Sequence, residues 1–240
     1  MPLDATTAET RAAALNARYR HHGATAVLEH ALRDADVGQI ALVSSFGAES
    51  VALLHLVAMV DRSVPVIFID TRMLFAETLV YQQELAERLN LSDLRIIRPG
   101  REALFARDNE NLLHQHDKDA CCTLRKVEPL AGALSGFDAW ITGRKRYQGG
   151  QRTALEFFEA ADGRIKVNPL AHWSTGDVAD YIAENRLPRH PLVAQGYPSI
   201  GCAPCTSRVK PGEDARAGRW RGEEKQECGI HFENGRMVRG

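Results

Sequence analysis

The sequence predicts an α/β fold in which helices cover both faces of a mostly parallel sheet. Short apolar runs rich in β-branched residues recur at 39–44, 64–69, 94–97 and 139–142. Segments with helical periodicity stand between them, as at 48–59 and 75–89. Because strands that alternate with helices form parallel sheets buried on both faces, we expect a Rossmann-like architecture.

The elements of the first half follow in a regular order. Two helices, 8–20 and 25–32, are rich in Ala, Leu, Glu and Arg, and Gly23 separates them. The first strand leads into a helix in which Val51, Leu54 and Ala58 recur at helical spacing. The second strand ends at Asp70, and Pro99 and Gly100 follow the third.

The second half is less regular. Residues 155–167 have the pattern of a hairpin that turns at Asp162 and Gly163. Ser174 to Asp177 has the S-x-x-D form of a helix N-terminus, and this helix extends to about residue 185. Nine of the fifteen residues at 213–227 are charged. We therefore expect a single α/β domain over residues 1–211 and a mobile tail over 212–240.

Composition and charge exclude several classes of function. The 240 residues suffice for one large domain or two small ones. A net charge of −1 provides no overall basic field for nucleic acid. No apolar run approaches the roughly 20 residues that cross a bilayer, and the N-terminus has no secretory pattern. We expect a cytoplasmic protein without a membrane or nucleic-acid partner.

The turn after the first strand, Ser45-Phe46-Gly47-Ala48-Glu49-Ser50, has the composition of an anion-binding loop. Gly47 lets the backbone approach an anion, and helix N–H groups and the two serine hydroxyls can bind it. The lysine-containing Walker motif is missing from the sequence. Asp70-Thr71, at the end of the next strand, could bind a ribose hydroxyl or simply cap a helix. An ordinary strand-to-helix turn stays open as the alternative.

Four of the five cysteines form two pairs, Cys121-Cys122 and Cys202-x-x-Cys205. Two such pairs can complete the coordination shell of a metal centre, and buried thiols without a metal are the less favoured alternative. Neighbouring cysteines strain a compact zinc site but can reach two irons of a larger cubane. The pattern therefore favours a [4Fe–4S] cluster, although it leaves zinc open.

Basic residues cluster at two predicted strand ends. Arg125 and Lys126 follow the first cysteine pair. Arg144, Lys145, Arg146 and Arg152 follow the strand at 139–142. Arginine can bind a multiply charged anion through two hydrogen bonds, while a solvated basic surface is the alternative. Their position at the carboxyl edge of the sheet favours an anionic substrate.

The fifth cysteine, Cys228, lies near the end of the chain in Glu227-Cys228-Gly229-Ile230-His231. Nearby cations such as Lys225 and His231 favour the thiolate over the thiol, whose usual pKa is about 8.5. A nucleophile on a mobile tail can enter a pocket and then meet a partner protein. The alternative is an exposed terminal cysteine without a role.

Together these motifs resemble the adenylyl-sulfate (APS) and phosphoadenylyl-sulfate (PAPS) reductases in their assimilatory, cluster-bearing form. The resemblance covers residues 40 to 231. It rests on the segments 45–50, Ile69-Asp70-Thr71, Cys121-Cys122-Thr123-Leu124-Arg125-Lys126-Val127-Glu128-Pro129-Leu130, Gly201-Cys202-Ala203-Pro204-Cys205-Thr206 and 227–231. It implies a PP-loop type nucleotide-binding fold and thioredoxin-dependent reduction of adenylyl sulfate to sulfite and AMP.

The resemblance also implies roles for individual residues. Cys228 attacks the substrate sulfur, releases AMP and carries an S-sulfocysteine that thioredoxin or glutaredoxin then reduces. Lys126 assists electrostatically, and His231 belongs to the same catalytic set. The [4Fe–4S] ligands are Cys121, Cys122, Cys202 and Cys205. The substrate-binding set is Ser45, Phe46, Gly47, Ser50, Asp70, Thr71, Arg125, Arg144, Lys145, Arg146 and Arg152.

Two positions depart from the family pattern. Arg72 stands where a glycine usually follows Asp-Thr, and the basic loop reads Arg-Lys-Arg-Tyr-Gln-Gly instead of Arg-Arg-x-Gln-Ser.

Members without the paired cysteines prefer the 3′-phosphorylated nucleotide, so we expect adenylyl sulfate here. Use of PAPS, a PP-loop tRNA sulfur-transfer enzyme and a non-catalytic metal-binding regulator stay open as alternatives, as does a homo-oligomer. The net charge and Glu49 argue against the tRNA enzyme.

Overall fold

The computed structural model of the chain describes residues 5–149 and 152–223. Its centre is a six-stranded sheet in the spatial order β3-β2-β1-β4-β6-β5. The strands are β1 (Ile40–Val43), β2 (Val66–Ile69), β3 (Leu94–Ile97), β4 (Ala139–Ile141), β5 (Phe158–Ala161) and β6 (Arg164–Val167). Strand β5 pairs antiparallel with β6, and the other four neighbouring pairs are parallel.

Helices surround this sheet. They are α1 (Ala5–Tyr19), α2 (Ala24–Ala31), α3 (Ser50–Val60), α4 (Ala76–Leu89), α5 (Arg101–Asp108), α6 (Leu113–His116), α7 (Lys118–Cys122), α8 (Glu128–Ala133) and α9 (Thr175–Glu184). A π-helical turn, Thr123–Val127, joins α7 to α8. Short 3₁₀ turns lie at Arg146–Gln148, Pro191–Gln195 and Ala203–Cys205. The predicted α/β fold is confirmed.

The sheet buries both faces because its side chains alternate between two apolar layers. Leu42 and Phe68 belong to the larger layer, which includes residues of α1–α4 and α9. Ala41, Ile67 and Trp140 belong to the smaller layer, under Leu130 of α8 and the neighbouring residue 134. Among the described residues, no helix is long and apolar enough to cross a membrane.

The hairpin predicted at 155–167 is confirmed as β5 and β6. Its turn residues Asp162 and Gly163 have φ values of 52° and 73°. Two consecutive residues with positive φ match the tight hairpin turns that fit the twist of paired strands, and glycine takes this conformation without a steric penalty.

The segment between β3 and β4 is helical, which the sequence pattern did not predict. Helix α5 buries only Asp108, and Phe105 on the same helix is 79% exposed. Because α5 has no apolar face packed on the core, the sequence lacks the usual helical periodicity there.

Residues 212–223, placed in the tail by the sequence interpretation, are packed against the segment 201–208. Ser207 N donates to the Gly218 carbonyl over 2.8 Å, and Trp220 N donates to the Cys205 carbonyl over 3.1 Å. Trp220 is buried. The division of the chain at residue 212 stays a prediction, and residues 224–240 lie outside the described part.

Candidate active site

A cavity of about 280 Å³ opens at the carboxyl edge of the sheet. Its walls include residues that follow three neighbouring strands: Ser45 after β1, Thr71 after β2 and Arg144 after β4. Strand order runs from β1 towards β2 and β3 on one side and towards β4 on the other. Doubly wound folds bind ligands at this reversal of strand order, which makes the cavity the candidate site.

The turn after β1 presents backbone and hydroxyl groups to the cavity. Gly47 N donates to Ser50 Oγ over 2.9 Å, and Ser45, Gly47 and Ser50 all line the cavity. Phe46 has a φ of 49°, and its side chain is buried edge-to-face on Phe68 with ring centroids 5.2 Å apart. The structure thus places the predicted Phe46 side chain in the core behind the site.

Asp70 and Thr71 point in different directions at the end of β2. Asp70 Oδ2 accepts from Arg98 Nε over 2.8 Å, and Oδ1 accepts from Arg72 N over 2.9 Å. Thr71 lines the cavity, and its Oγ1 lies 3.3 Å from Cys202 Sγ. Asp70 is therefore engaged outside the cavity wall, and its predicted ribose contact stays a prediction.

Arg72, the first departure from the family pattern, has a φ of 57° and is exposed. This is the left-handed region, in which glycine avoids the steric cost that a Cβ brings. The backbone here therefore keeps the conformation that suits the usual glycine, although the residue is arginine.

The two cysteine pairs lie on the same side of the cavity. Cys121 and Cys122 end α7, while Cys202 and Cys205 flank a 3₁₀ turn. The second pair is held near β2 by the hydrogen bond from Ala203 N to the carbonyl of residue 73, 2.7 Å long. Cys121 interacts electrostatically with Cys202, as Cys202 does with Cys205. Within 5–149 and 152–223, no three Cys, His or acidic side chains are close enough to hold a single metal ion.

The thiols differ in acidity. Burial and the neighbouring Cys122 raise the pKa of Cys121 to about 11, and burial also raises the pKa of Cys205. Burial acts in the same direction on Cys202, but the Lys126 charge and a hydrogen bond from Thr71 outweigh it and lower its pKa. Of these three cysteines, Cys202 is the one whose surroundings favour the thiolate.

Lys126 and Arg125 are neighbours on the π-helical turn but have different surroundings. Lys126 and Cys202 both line the cavity, and the Lys126 charge lowers the pKa of the Cys202 thiol. Arg125 is 1% exposed and binds Asp108, Asn111 and the Thr71 carbonyl. The structure thus places Lys126 in the cavity wall and Arg125 behind it.

The basic loop after β4 is divided in the same way. Arg144, Lys145 and Arg152 line the cavity. Arg144 forms an ion pair with Glu159, and Arg152 forms a hydrogen bond with Gln148. Arg146 instead donates to the Leu155 carbonyl over 2.7 Å and pairs with Glu156, so its guanidinium lies outside the wall.

Glu49 is a site residue that the sequence interpretation did not assign. Lys145 Nζ donates to Glu49 Oε2 over 2.8 Å, and the Tyr147 hydroxyl donates to Oε1 over 2.6 Å. Burial alone would raise the pKa of Glu49, but the Lys145 charge and these hydrogen bonds lower it. Burial lowers the pKa of Lys145, which Glu49 partly offsets. The pair fastens the basic loop to the start of α3.

A third wall comes from residues 216–220. Arg216, Arg219 and Trp220 line the cavity. Arg219 Nη1 donates to the Ile200 carbonyl over 3.3 Å, and the guanidinium lies 4.4 Å from the Trp220 ring centroid. A Cβ at Gly201 would collide with this guanidinium, so glycine permits the close approach. In the sequence, a tryptophan within a charged run was the signal that could have indicated that this segment packs on the domain.

The cavity is cationic. Among its described lining residues, six are basic, namely Lys126, Arg144, Lys145, Arg152, Arg216 and Arg219, and two are acidic, namely Glu49 and Asp214. Low-dielectric walls with an excess of one charge concentrate ligands of the opposite charge. The geometry therefore suits a small, multiply charged anion bound next to thiols.

Known proteins share this sequence and fold. Residues 39–208 match the model of the phosphoadenosine phosphosulfate reductase domain. An adenosine 5′-phosphosulfate reductase of Chelativorans sp. (strain BNC1) is 54% identical over 232 residues, which cover 96% of this chain and 94% of the relative. The chain belongs to this reductase family. A second adenosine 5′-phosphosulfate reductase, from Mesorhizobium japonicum, is 52% identical and covers 92% of this chain and 87% of its own length.

Solved structures agree with the membership of this reductase family. A phosphoadenylyl-sulfate reductase from Candida auris, in a phosphate complex, has a TM-score of 0.69 and 29% identity, and covers 82% of this chain and 96% of its own. Yeast FAD synthetase, with a TM-score of 0.53 and 18% identity over 87% of this chain and 77% of its own, shares the fold. The family resemblance read from the sequence is confirmed.

In this family member, two predicted catalytic residues, Cys228 and His231, lie outside the described residues. The described chain ends at Glu223, which forms an ion pair with Lys118 of α7. Trp220, three residues earlier, lines the cavity. The described end of the chain therefore lies beside the helix that carries Cys121 and Cys122.

Proposed function

We propose that this protein reduces adenylyl sulfate to sulfite and AMP, with Cys228 as nucleophile and a thioredoxin-type dithiol protein as electron donor. The names of relatives at 54% and 52% identity support the substrate. The observation that carries the proposal is the position of Lys126. Lys126 and Cys202 line the same cationic cavity, so the anion site adjoins the segment of the second cysteine pair.

The cavity suits a nucleotide whose phosphate carries a sulfate. Both groups are anionic, and charge-assisted hydrogen bonds from arginine and lysine are the strong contacts for such groups. Lys126 and Arg219 would bind on the cysteine side, and Arg144 on the β4 side. Helix α3 begins at Ser50, beside the turn at Gly47, and a helix N-terminus is a place where an anion is also favoured.

The proposed reaction has two stages. The Cys228 thiolate attacks the substrate sulfur, an S–S bond forms, and the S–O bond to the phosphate breaks, so that AMP leaves with that electron pair. A donor thiolate then attacks Cys228 Sγ, and sulfite leaves with the electrons of the S–S bond. The second donor thiol resolves the mixed disulfide. In this scheme residues 1–211 form the nucleotide and cluster domain, and the segment 212–240 brings Cys228 to the cavity.

We further propose that Cys121, Cys122, Cys202 and Cys205 hold a [4Fe–4S] cluster. Four thiols from two segments converge beside the cavity, and Cys202 is held towards its thiolate form. A [4Fe–4S] cluster takes four cysteine thiolates as ligands, which matches the number of these cysteines. When bound, such a cluster supplies an electrostatic centre next to Lys126.

The test is to incubate the protein with adenylyl sulfate and reduced thioredoxin and to measure sulfite and AMP. We expect both products in equal amounts, with faster turnover of adenylyl sulfate than of its 3′-phosphorylated form. An equal or reversed preference would show the PAPS or dual-substrate alternative. Release of neither product would contradict the proposed reaction.

A further inference from the structure

We propose that the buried ion pair of Asp108 and Arg125 is a positioning unit that aligns the two cysteine segments and Lys126. Its consequence for cluster retention rests on the proposed cluster, and its consequence for KM rests on the proposed reaction. Arg125 and Asp108 side chains are each 1% exposed. Burial of a charge is costly unless a partner and further hydrogen bonds compensate it, so such a pair holds its segments in one arrangement.

The guanidinium of Arg125 uses all three nitrogens. Nε and Nη2 donate to Asp108 Oδ2 over 3.1 and 2.5 Å. Nη2 also donates to Asn111 Oδ1 over 2.9 Å, and Nη1 donates to the Thr71 carbonyl over 3.0 Å. Asp108 Oδ1 in turn accepts from the backbone N of residue 113 over 2.9 Å. One side chain therefore joins the end of α5, the α5–α6 loop and the loop after β2 to the π-helical turn.

These contacts connect the two cysteine pairs. Arg125 lies three residues after Cys122 and holds the Thr71 carbonyl, while the Thr71 hydroxyl lies 3.3 Å from Cys202 Sγ. The path from the first pair to the second thus passes through Arg125 and Thr71. A shift of the guanidinium would move Thr71 relative to Cys202 and separate the pairs.

The same anchor sets the direction of Lys126. In the π-helical turn, Arg125 is fixed to Asp108 behind the wall, and Lys126 lines the cavity. Isolated π-helical turns are frequent at functional sites because they redirect neighbouring side chains. Arg125 thereby acts on substrate through Lys126, without lining the cavity itself.

The chain offers a matched control one residue before Asp108. Arg107 on α5 forms two hydrogen bonds to Glu128 of α8, of 2.9 and 2.5 Å. These two side chains are 45% and 46% exposed. This pair is also an arginine–carboxylate pair with two hydrogen bonds, and it also joins α5 to the chain beyond the cysteine pair, but it is half-exposed. Exposed ion pairs contribute little to stability.

The experiment compares Arg125→Lys with Arg107→Lys in anaerobically purified full-length protein. Lysine keeps the charge beside Asp108 but cannot bind Asp108, Asn111 and Thr71 in one plane. We expect Arg125→Lys to lose its visible cluster absorption to an iron chelator about ten- to a hundredfold faster than wild type, the usual cost of disturbing residues behind metal ligands. We also expect a raised KM for adenylyl sulfate. Arg107→Lys should stay within about twofold of wild type in both measurements.

Wild-type chelation rate and KM in folded Arg125→Lys would overturn the inference. If that variant does not fold, the double variant Asp108→Leu, Arg125→Met removes both charges. Replacement of both partners of a buried ion pair by apolar side chains is often neutral for stability. It should show the same fast cluster loss, and wild-type behaviour would again overturn the inference. Failure of both variants to fold would also count against it, because the pair would then serve the fold as a whole. Absence of sulfite production by the wild type would contradict the proposed reaction. The chelation rates of the variants would still decide whether Arg125 positions the cysteine segments.

Discussion

Two cationic parts of the cavity lining hold their charges in different ways: the loop after β4, and Lys126 together with Arg219 beside the cysteines. In the wall after β4, Arg144 and Lys145 are each paired with a carboxylate, Glu159 and Glu49. In the wall beside the cysteines, Lys126 contacts the Cys202 thiol, and Arg219 contacts a carbonyl and an indole ring. The carboxylates neutralise part of the first wall. The Lys126 charge instead acts on the Cys202 thiol, so the two parts of the lining differ in the groups that share their positive charge.

The largest effect is expected from a ligand of the cysteine wall. Cys202→Ser should lower iron from about four atoms per chain to near zero in anaerobically purified protein, because serine does not replace a thiolate on a cluster. Iron and sulfide analysis measures this, and Cys228→Ser is the control that should keep all four irons. Wild-type protein that is colourless and contains stoichiometric zinc would contradict the cluster.

The next prediction compares how Lys126, beside the cysteines, and Arg144, after β4, contribute to substrate binding. Lys126→Gln should raise the KM for adenylyl sulfate about ten- to a hundredfold, because a hydrogen bond to a charged group contributes about 1.5–3 kcal/mol. Arg144→Gln should raise it only about two- to tenfold, since Glu159 already shares the Arg144 charge. Steady-state kinetics of both variants provide the measurement. A larger increase of KM for Arg144→Gln than for Lys126→Gln would contradict this comparison.

A smaller effect concerns the Glu49–Lys145 pair and pH. The folded state lowers the pKa of Glu49, so the pair stabilises the protein above the unfolded pKa of about 4.3 and loses this contribution as pH falls through the folded value. We expect wild type to exceed Glu49→Gln in unfolding free energy by about 1–3 kcal/mol at neutral pH, because the mutation leaves the buried Lys145 charge without its carboxylate, and we expect the gap to close in acid. Urea unfolding across pH 3–7 tests this, and a gap that widens in acid would contradict it.

The smallest effect is expected at Arg146, which belongs to the basic loop by sequence but faces Glu156 at the surface. Arg146→Gln should leave kcat and KM within about twofold of wild type, as for other exposed pairs. A KM change as large as that of Lys126→Gln would show that Arg146 reaches the substrate.

Much of the fold could be predicted from the sequence because the inner strands β1, β2 and β4 are buried on both faces and therefore read as apolar runs. Strand β3 was predicted with the bounds that the structure shows, Leu94–Ile97. Helices α5 to α8 were not predicted, since α5 buries only Asp108 and has no periodic apolar face. The packing of Trp220 was also hidden, because its neighbours in sequence are charged or small.

The parts of the site that consist of short sequence motifs could be predicted from the sequence. Cys202 and the turn at Gly47 line the same cavity, and the roles predicted for them there stay predictions. The role of Glu49 could not be seen, because its partner Lys145 is 96 residues away. Nor does sequence show which of two adjacent basic residues faces a cavity. Arg125 and Lys126 diverge because a buried carboxylate, Asp108, binds one of them.

The central claim is that Cys228 accepts the sulfur of adenylyl sulfate, and the mass of the intact protein tests it most directly. Wild-type protein incubated with adenylyl sulfate without a thiol donor should release one AMP and gain one SO₃ group on the peptide that contains Cys228. Reduced thioredoxin should then remove the group as sulfite. Cys228→Ser should gain no such group, because a hydroxyl without a neighbouring base is a poor nucleophile. Sulfite production at the wild-type rate by Cys228→Ser would contradict the account.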